Sequence, residues 1–225
     1  MRLSANFVMT VDGKVQGPGA GYWPIGSAAD LALLLKLRAQ CDVLVHGRLT
    51  AMGHEHIKRL ASPDFQRLLS EHGHKQPYAY VVLSAHPDLL LLDKIQPGES
   101  GLQVILATTQ DAVLDFVVPK GIDVWRCGSG EVDLSVLVVR MEQQGWRRAA
   151  LEAGPRLFGA FVAAELADDL YLTIAPKLFG TAFGTPTMIN GILFAPEKVP
   201  RLELVTHEAV GDELNLHYRF IRRRH

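Results

Sequence analysis

The sequence predicts an α/β fold, a three-layer domain on a mixed, mostly parallel sheet. Two observations carry this. Up to about residue 165, strand-like runs alternate with helix-like ones, and that alternation implies parallel strands joined by right-handed crossovers. Beyond it come strands with no helices between them and the turn Val210-Gly211-Asp212, which implies an antiparallel hairpin at the end of the sheet. The 225 residues are 48% hydrophobic and 21% charged, an ordinary globular composition that suits one domain, or at most two small ones.

The elements follow in order. Residues 3–9 read as a strand ended by Asp12-Gly13, and 27–40 (SAADLALLLKLRAQ) as a helix capped by Ser27 with Asp30 in its first turn. Residues 42–46 are a short buried strand running into Gly47; 63–71 are a helix with Ser62 as cap and Gly73 as stop. Strands are expected at 78–83 and 102–107, and the stretch between them, 88–101 (DLLLLDKIQPGESG), reads as a long surface connection. A weak helix at 111–117, a strand at 122–126, a helix at 134–143, a strand at 148–151 and a helix at 157–165 come next. Strands at 170–175, 201–209 and 213–221 close the chain.

Net charge is -1, so there is no electrostatic case for a nucleic-acid partner. The basic tail at 219–225 (RFIRRRH) is short and reads as a solvated strand end. Cys41 and Cys127 make no disulfide framework, border apolar runs and suit core packing in a reducing compartment. The start MRLSANFVM lacks a signal-peptide layout, and the longest apolar runs fall well short of a membrane span. The expectation is a cytoplasmic protein with no membrane partner. His54, His56, His72 and His74 invite a metal reading, but without HExxH or a nearby cysteine they read as solvated loop histidines, and no metal site is expected. Met9 and Met52 read as packing.

In α/β sheets ligands collect at the carboxyl ends of strands. Those ends read T-V-D-G at 10–13, G-R-L-T at 47–50, L-S-A-H at 83–86, C-G-S-G at 127–130 and E-A-G-P at 152–155. Glycines let backbone approach a ligand, hydroxyls donate to phosphate, and arginine grips phosphate with two parallel bonds. A nucleotide with several phosphates fits, although strand ends also use Gly and Ser simply to turn. The stretch ALEAGPRLFGAF at 150–161 is the most pointed, because it sets a carboxylate and a Gly-Pro turn between a strand and a helix. A helix N-terminus is a ready site for a negative group.

Four blocks, in this order, resemble the riboflavin-biosynthesis reductases (the RibD C-terminal domain family, within the dihydrofolate-reductase-like superfamily). They are A-N-F-V-M-T-V-D-G-K-V at 5–15, D-V-L-V-H-G-R-L-T at 42–50, V-V-L-S-A-H-P at 81–87, and A-L-E-A-G-P-R-L running on to L-T-I-A-P-K-L-F-G at 150–180. The resemblance implies a dihydrofolate-reductase-like fold over residues 1–225 as a single reductase domain, NADPH as cofactor, a small-molecule substrate and a homodimer, with 170–175 and 214–221 as candidate pairing strands. It implies reduction of 5-amino-6-(5-phosphoribosylamino)uracil by hydride delivery to the anomeric carbon of a ring-opened ribosylamine.

Residue by residue, the resemblance places Gly47, Arg48 and Thr50 on the cofactor, Arg48 at the 2′-phosphate and Thr50 at the pyrophosphate, with Ser84 at the same 2′-phosphate or its ribose. Gly154 and the N–H groups of Arg156 and Leu157 receive the pyrophosphate, Pro155 sets the first helical position, and Glu152 faces the substrate. Thr10 and Asp12 belong at the nicotinamide and substrate edge, Asp12 delivering a proton or fixing sugar hydroxyls, and Lys14 reaches for the substrate phosphate.

There are two departures. Ala153 stands where the family has glycine, and a helical insertion at about 51–76 replaces the acidic pair and arginine that grip the substrate, leaving Lys58, Arg59 or Arg67 to substitute. They leave open a reductase of another pterin or pyrimidine, such as dihydrofolate, and a non-catalytic NADPH-binding module. The zinc-deaminase signature that accompanies the bacterial enzymes is absent from this sequence.

Overall fold

The computed structural model describes residues 1–17, 24–53, 55–74, 78–180 and 185–222. In chain order its elements are β1 (Arg2–Thr10), α1 (Ala28–Ala39), β2 (Val43–Gly47), α2 (Arg48–Gly53), α3 (His56–Leu60), α4 (Pro63–Glu71), β3 (Ala79–Leu83), α5 (Leu89–Lys94), β4 (Gln103–Thr108), β5 (Ile122–Arg126), α6 (Leu134–Gln143), β6 (Arg148–Leu151), α7 (Pro155–Ala163), β7 (Asp169–Ala175), β8 (Arg201–Val210) and β9 (Glu213–Ile221). They fall into two compact units, Met1 with Leu35–Glu152, and Arg2–Leu34 with Ala153–His225.

The first unit is the parallel one. Its strands lie in the order β5, β4, β3, β2, β6, all parallel. β3 is buried at every position and β2 at four of five, the continuous apolar run expected of strands covered on both faces. Leu44, Tyr80, Val82, Val104 and Leu106 form one core with Phe65 and Leu69 of α4 and Leu91 and Leu92 of α5. Each such side chain contributes roughly 1.5 to 3 kcal/mol when withdrawn from water.

The second unit carries the antiparallel part. β1 pairs in parallel with β7, from Ser4 opposite Asp169 to Thr10 opposite Ala175. β9 then pairs antiparallel with β7 on one side and β8 on the other. Asp169, fully buried, pairs with Arg2 and with His217 Nε2 at 2.8 Å, so one carboxylate ties β1, β7 and β9. The β8–β9 turn uses Gly211 at φ 60°, a backbone conformation that favours glycine.

The α/β class, mostly parallel with a C-terminal antiparallel hairpin, is as the sequence predicts, and four differences are instructive. Residues 88–101 are not a loop throughout: α5 begins there, its N-cap Asp88 accepting from Leu91 N, with Leu91, Leu92 and Ile95 buried. Residues 111–117 form no helix; Val113 and Val117 are exposed, and Arg126 Nη1 bonds the carbonyls of Thr109 and Ala112 at 2.8 and 2.6 Å. The inserted stretch holds α3 as well as α4, and α2 leads into it. The candidate pairing strands β7 and β9 are each hydrogen-bonded on both sides, so neither is a free edge. β8 instead is exposed along nearly its whole length and bulges between Leu204 and Thr206, as protected edge strands do.

Candidate functional site

The turn after β1 is locked to a segment far along the chain. The Thr10 hydroxyl donates to Asp12 Oδ1 and accepts from Lys14 N at 2.9 Å, and Gly13, at φ 77°, donates its N–H to the Thr10 carbonyl. Asp12 also accepts backbone N–H groups, from Phe179 at 3.2 Å and Gly180 at 2.8 Å. Two blocks of the resemblance, D-G-K and A-P-K-L-F-G, thus meet at one carboxylate. Lys14 is buried, its Nζ donating to the Asp12 carbonyl at 2.9 Å. The Thr10 hydroxyl, aided by the two N–H groups, holds Asp12 below the usual carboxylate range. A carboxylate so held favours its ionised, hydrogen-bond-accepting form.

Glu152, at the end of β6, was expected to face substrate. Its carboxylate is engaged internally: Arg38 Nε and Nη2 each reach it at 2.6 Å, and His46 Nε2 lies 3.2 Å from Oε2. Because a carboxylate only accepts, His46 carries its proton on Nε2, and its Nδ1 accepts from the Tyr80 hydroxyl at 3.1 Å. Burial alone would raise the Glu152 pKa; the Arg38 charge and hydrogen bonds outweigh it and drive it well below the ordinary value. Burial lowers the pKa of His46 and pushes His56 down to about 2. His56 is a buried partner of this group, 4.3 Å between ring centroids from His46 and bonded through Nε2 to the Thr50 carbonyl at 3.0 Å. The expectation of a solvated His56 is therefore corrected. His74 bonds the Ala39 carbonyl at 2.7 Å, and His54 lies outside the described residues.

Gly47 ends β2, and Arg48 and Thr50 open α2. The Arg48 guanidinium forms a two-point pair with Asp88, Nη1 to Oδ1 at 3.0 Å and Nη2 to Oδ2 at 2.7 Å. Ser84 is buried beyond β3, its N–H on the Ala107 carbonyl at 3.0 Å. In the C-G-S-G loop, Ser129 Oγ and Gly130 N both donate to Asp111 at 2.6 Å. Donors that suit phosphate oxygens do end these strands, and two groups of them hold the protein's own carboxylates.

In the second unit, α7 opens on Gly154 with Pro155 at its first position. The N–H groups of a helix's first turn lack intrahelical acceptors, and those of Arg156 and Leu157 are of this kind. A Cβ on Gly154 would meet no atom within 4 Å, so the approach to this backbone is open. A dinucleotide phosphate fits these donors. Ala153, in place of the family glycine, is buried. At Gly159, within α7, a Cβ would stand 3.1 Å from Ile189 and 3.2 Å from Ile192, so glycine there admits the 189–192 segment.

Of the three candidate cations in the inserted stretch, Lys58 pairs with Glu55 at 2.6 Å and Arg67 with Asp64 at 3.2 Å. Arg59 is exposed and has no ion-pair partner among the described residues. Among those residues no group of three His, Cys, Asp or Glu is placed to hold a metal, and no helix is long and apolar enough to cross a membrane. Sequence reasoning missed Arg38, His46 and Tyr80. The one signal available was their polar character inside otherwise apolar patterns.

The sequence pattern of the RibD C-terminal domain family matches residues 2–216. The chain is 24% identical over 219 residues to the 2,5-diamino-6-ribosylamino-4(3H)-pyrimidinone 5′-phosphate reductase of Archaeoglobus fulgidus, covering 96% of this chain and 97% of that one. To the protein of the same name from Methanothermobacter thermautotrophicus it is 27% identical over 217 residues, covering 95% of each. Among solved structures, a pyrimidine reductase-like protein of Corynebacterium diphtheriae shares the fold, with a TM-score of 0.72 at 18% identity, covering 99% of this chain and 92% of that one.

Proposed function

This chain belongs to the RibD C-terminal domain family, and we propose that it is an NADPH-dependent reductase of riboflavin biosynthesis, working as a single reductase domain in a cytoplasmic homodimer. Its substrate in this reading is 5-amino-6-(5-phosphoribosylamino)uracil and its product the ribitylamino counterpart. The observation that carries the reading is the meeting of the D-G-K and A-P-K-L-F-G blocks at Asp12, in a chain that the family pattern spans almost from end to end.

When bound, the nicotinamide supplies a hydride for the anomeric carbon of the ring-opened sugar. The chain's own contribution is positioning, which suits a site of this kind. Within the second unit, Gly154 and the N–H groups of Arg156 and Leu157 would receive a pyrophosphate; within the first, Thr50 would bind pyrophosphate and Arg48 and Ser84 a 2′-phosphate. Thr10 and Asp12, kept rigid by Phe179 and Gly180, orient the sugar hydroxyls, and the Lys14 ammonium attracts the substrate phosphate.

A second substrate is favoured by one observation. The two archaeal relatives, matched over nearly their whole length, carry the name of a reductase of the 2,5-diamino pyrimidinone. Steady-state NADPH oxidation with each of the two phosphorylated ribosylaminopyrimidines decides between them. If neither is reduced while another pterin or pyrimidine is, the riboflavin assignment is wrong; if no compound drives NADPH oxidation, the chain is a binding module.

A further inference from the structure

Arg48 and Asp88 stand just beyond the C-terminal ends of two neighbouring parallel strands, β2 and β3, which are in register from Val43 opposite Ala79 to Gly47 opposite Leu83. In dinucleotide sites, these two residue types at strand ends have opposite preferences. A carboxylate accepts the ribose 2′-hydroxyl of NADH and repels a 2′-phosphate, whereas an arginine accommodates the 2′-phosphate of NADPH. This chain has both, and they are bound to each other. We infer that Asp88 is a specificity-determining residue that moderates the preference for NADPH by holding the Arg48 guanidinium. The inference rests on the reductase reading above.

Three features make the pair more than a loose surface contact. The bonding is two-point, at 3.0 and 2.7 Å, the geometry in which arginine and carboxylate are most specific for one another. Asp88 is fixed independently, because its Oδ1 also accepts Leu91 N at 2.8 Å as the N-cap of α5. That helix is anchored in turn by the buried Leu91, Leu92 and Ile95. Finally, the Arg48 hydrogen bonds favour the ionised form of Asp88, below the usual carboxylate range. An incoming 2′-phosphate must share or displace this carboxylate and remain close to its charge. An incoming 2′-hydroxyl meets an acceptor already in place. Both side chains are partly exposed, 31% for Arg48 and 51% for Asp88, so neither is sealed from a ligand.

The test is equilibrium binding of NADPH and NADH, by titration calorimetry, to the wild type and to Asp88→Asn. Asparagine is isosteric and caps helices as well as aspartate does, so α5 is retained, and an unchanged melting profile verifies it. Wild type should prefer NADPH by less than about tenfold, and Asp88→Asn should raise that preference by about tenfold or more, mainly through tighter NADPH binding. A ratio of the two Kd values that stays within about twofold of wild type would overturn the inference and leave the NADPH reading standing. A wild type that binds neither dinucleotide would overturn both.

Discussion

Two of the arginine–carboxylate pairs in the first unit, both two-point, lie in opposite surroundings. Arg38 and Glu152 meet with side-chain exposures of 3% and 12%, Arg48 and Asp88 with 31% and 51%. The buried pair joins residues 114 positions apart and is closed off by His46 and Tyr80. The exposed pair joins residues that follow two neighbouring strands and is open to solvent. Desolvation makes the first pair costly to form and more costly to break on one side only. The second loses little when opened, because water replaces each partner. A pair of the first kind fixes architecture, and a pair of the second kind is open to exchange with a ligand.

Removing one partner from the buried pair has the largest expected effect. Arg38→Met leaves the Glu152 carboxylate buried with only His46 as donor, and should cost about 3 to 5 kcal/mol of unfolding free energy in a urea titration. If the loss is no greater than that of an ordinary surface substitution, Glu152 is hydrated and the contrast between the pairs collapses.

The histidines beside Glu152 give the buried pair a signature in pH. His56 is lowered from an ordinary 6.5 to about 2, and His46 is lowered too, chiefly by burial. Unfolded histidines take up protons as pH falls below about 6.5 while the folded ones do not, so the unfolded state binds more protons and stability falls with pH. Glu152 acts in the same direction, but only below its unfolded value of 4.5. Between 6.5 and 4.5 the slope therefore belongs to the histidines, and His56 contributes about 1.4 kcal/mol per pH unit once its unfolded form is largely protonated. His56→Asn, which keeps a donor for the Thr50 carbonyl, should flatten this stretch of the stability curve. A slope identical to wild type would mean that His56 is protonated in the folded protein.

Opening the exposed pair should affect ligand binding and leave stability alone. Arg48→Ala should keep the wild-type unfolding midpoint, weaken NADPH by about tenfold and leave NADH almost unchanged. Equal losses for both dinucleotides would make Arg48 a structural residue like Arg38.

Much of the fold was legible because the signals were local. Ser62 as cap and Gly73 as stop bracket α4 where the sequence places it, and the buried runs of β2 and β3 are read directly from composition. The failures came where a local signal was masked. Four successive leucines conceal the period of α5, since Leu89 and Leu90 are exposed while Leu91 and Leu92 are buried; the Asp88 cap was the clue. The chain turns earlier than expected at the end of α7 because Leu166 N reaches back to the Phe161 carbonyl and Glu165 takes φ 55°. At the candidate site the motif residues were legible, but their partners were not. Nothing in E-A-G-P points to Arg38 or His46, and nothing in G-R-L-T points to Asp88, because pairing over such distances is decided by how strands are ordered in the sheet.

Arg59 offers a third case against which to set the two pairs, an exposed arginine with no carboxylate bound to it. Lys58 and Arg67 each have an acidic neighbour three residues away, so their charge is already partly answered, and of the three candidate cations Arg59 is the one most available to a phosphorylated substrate. If the insertion has taken over the grip on the sugar phosphate, Arg59→Ala should raise KM for the phosphorylated ribosylaminopyrimidine by about two- to fivefold, as befits one exposed ionic contact. NADPH affinity should not change, since the residues assigned to the cofactor lie in other segments. The KM difference between wild type and variant should shrink as salt rises, because exposed charges are screened over about 10 Å at 0.1 M ionic strength. Arg67→Ala, with its Asp64 and Glu71 neighbours, should change KM less. An Arg59→Ala enzyme with wild-type KM at low salt would place the phosphate grip outside the insertion and return attention to Lys14.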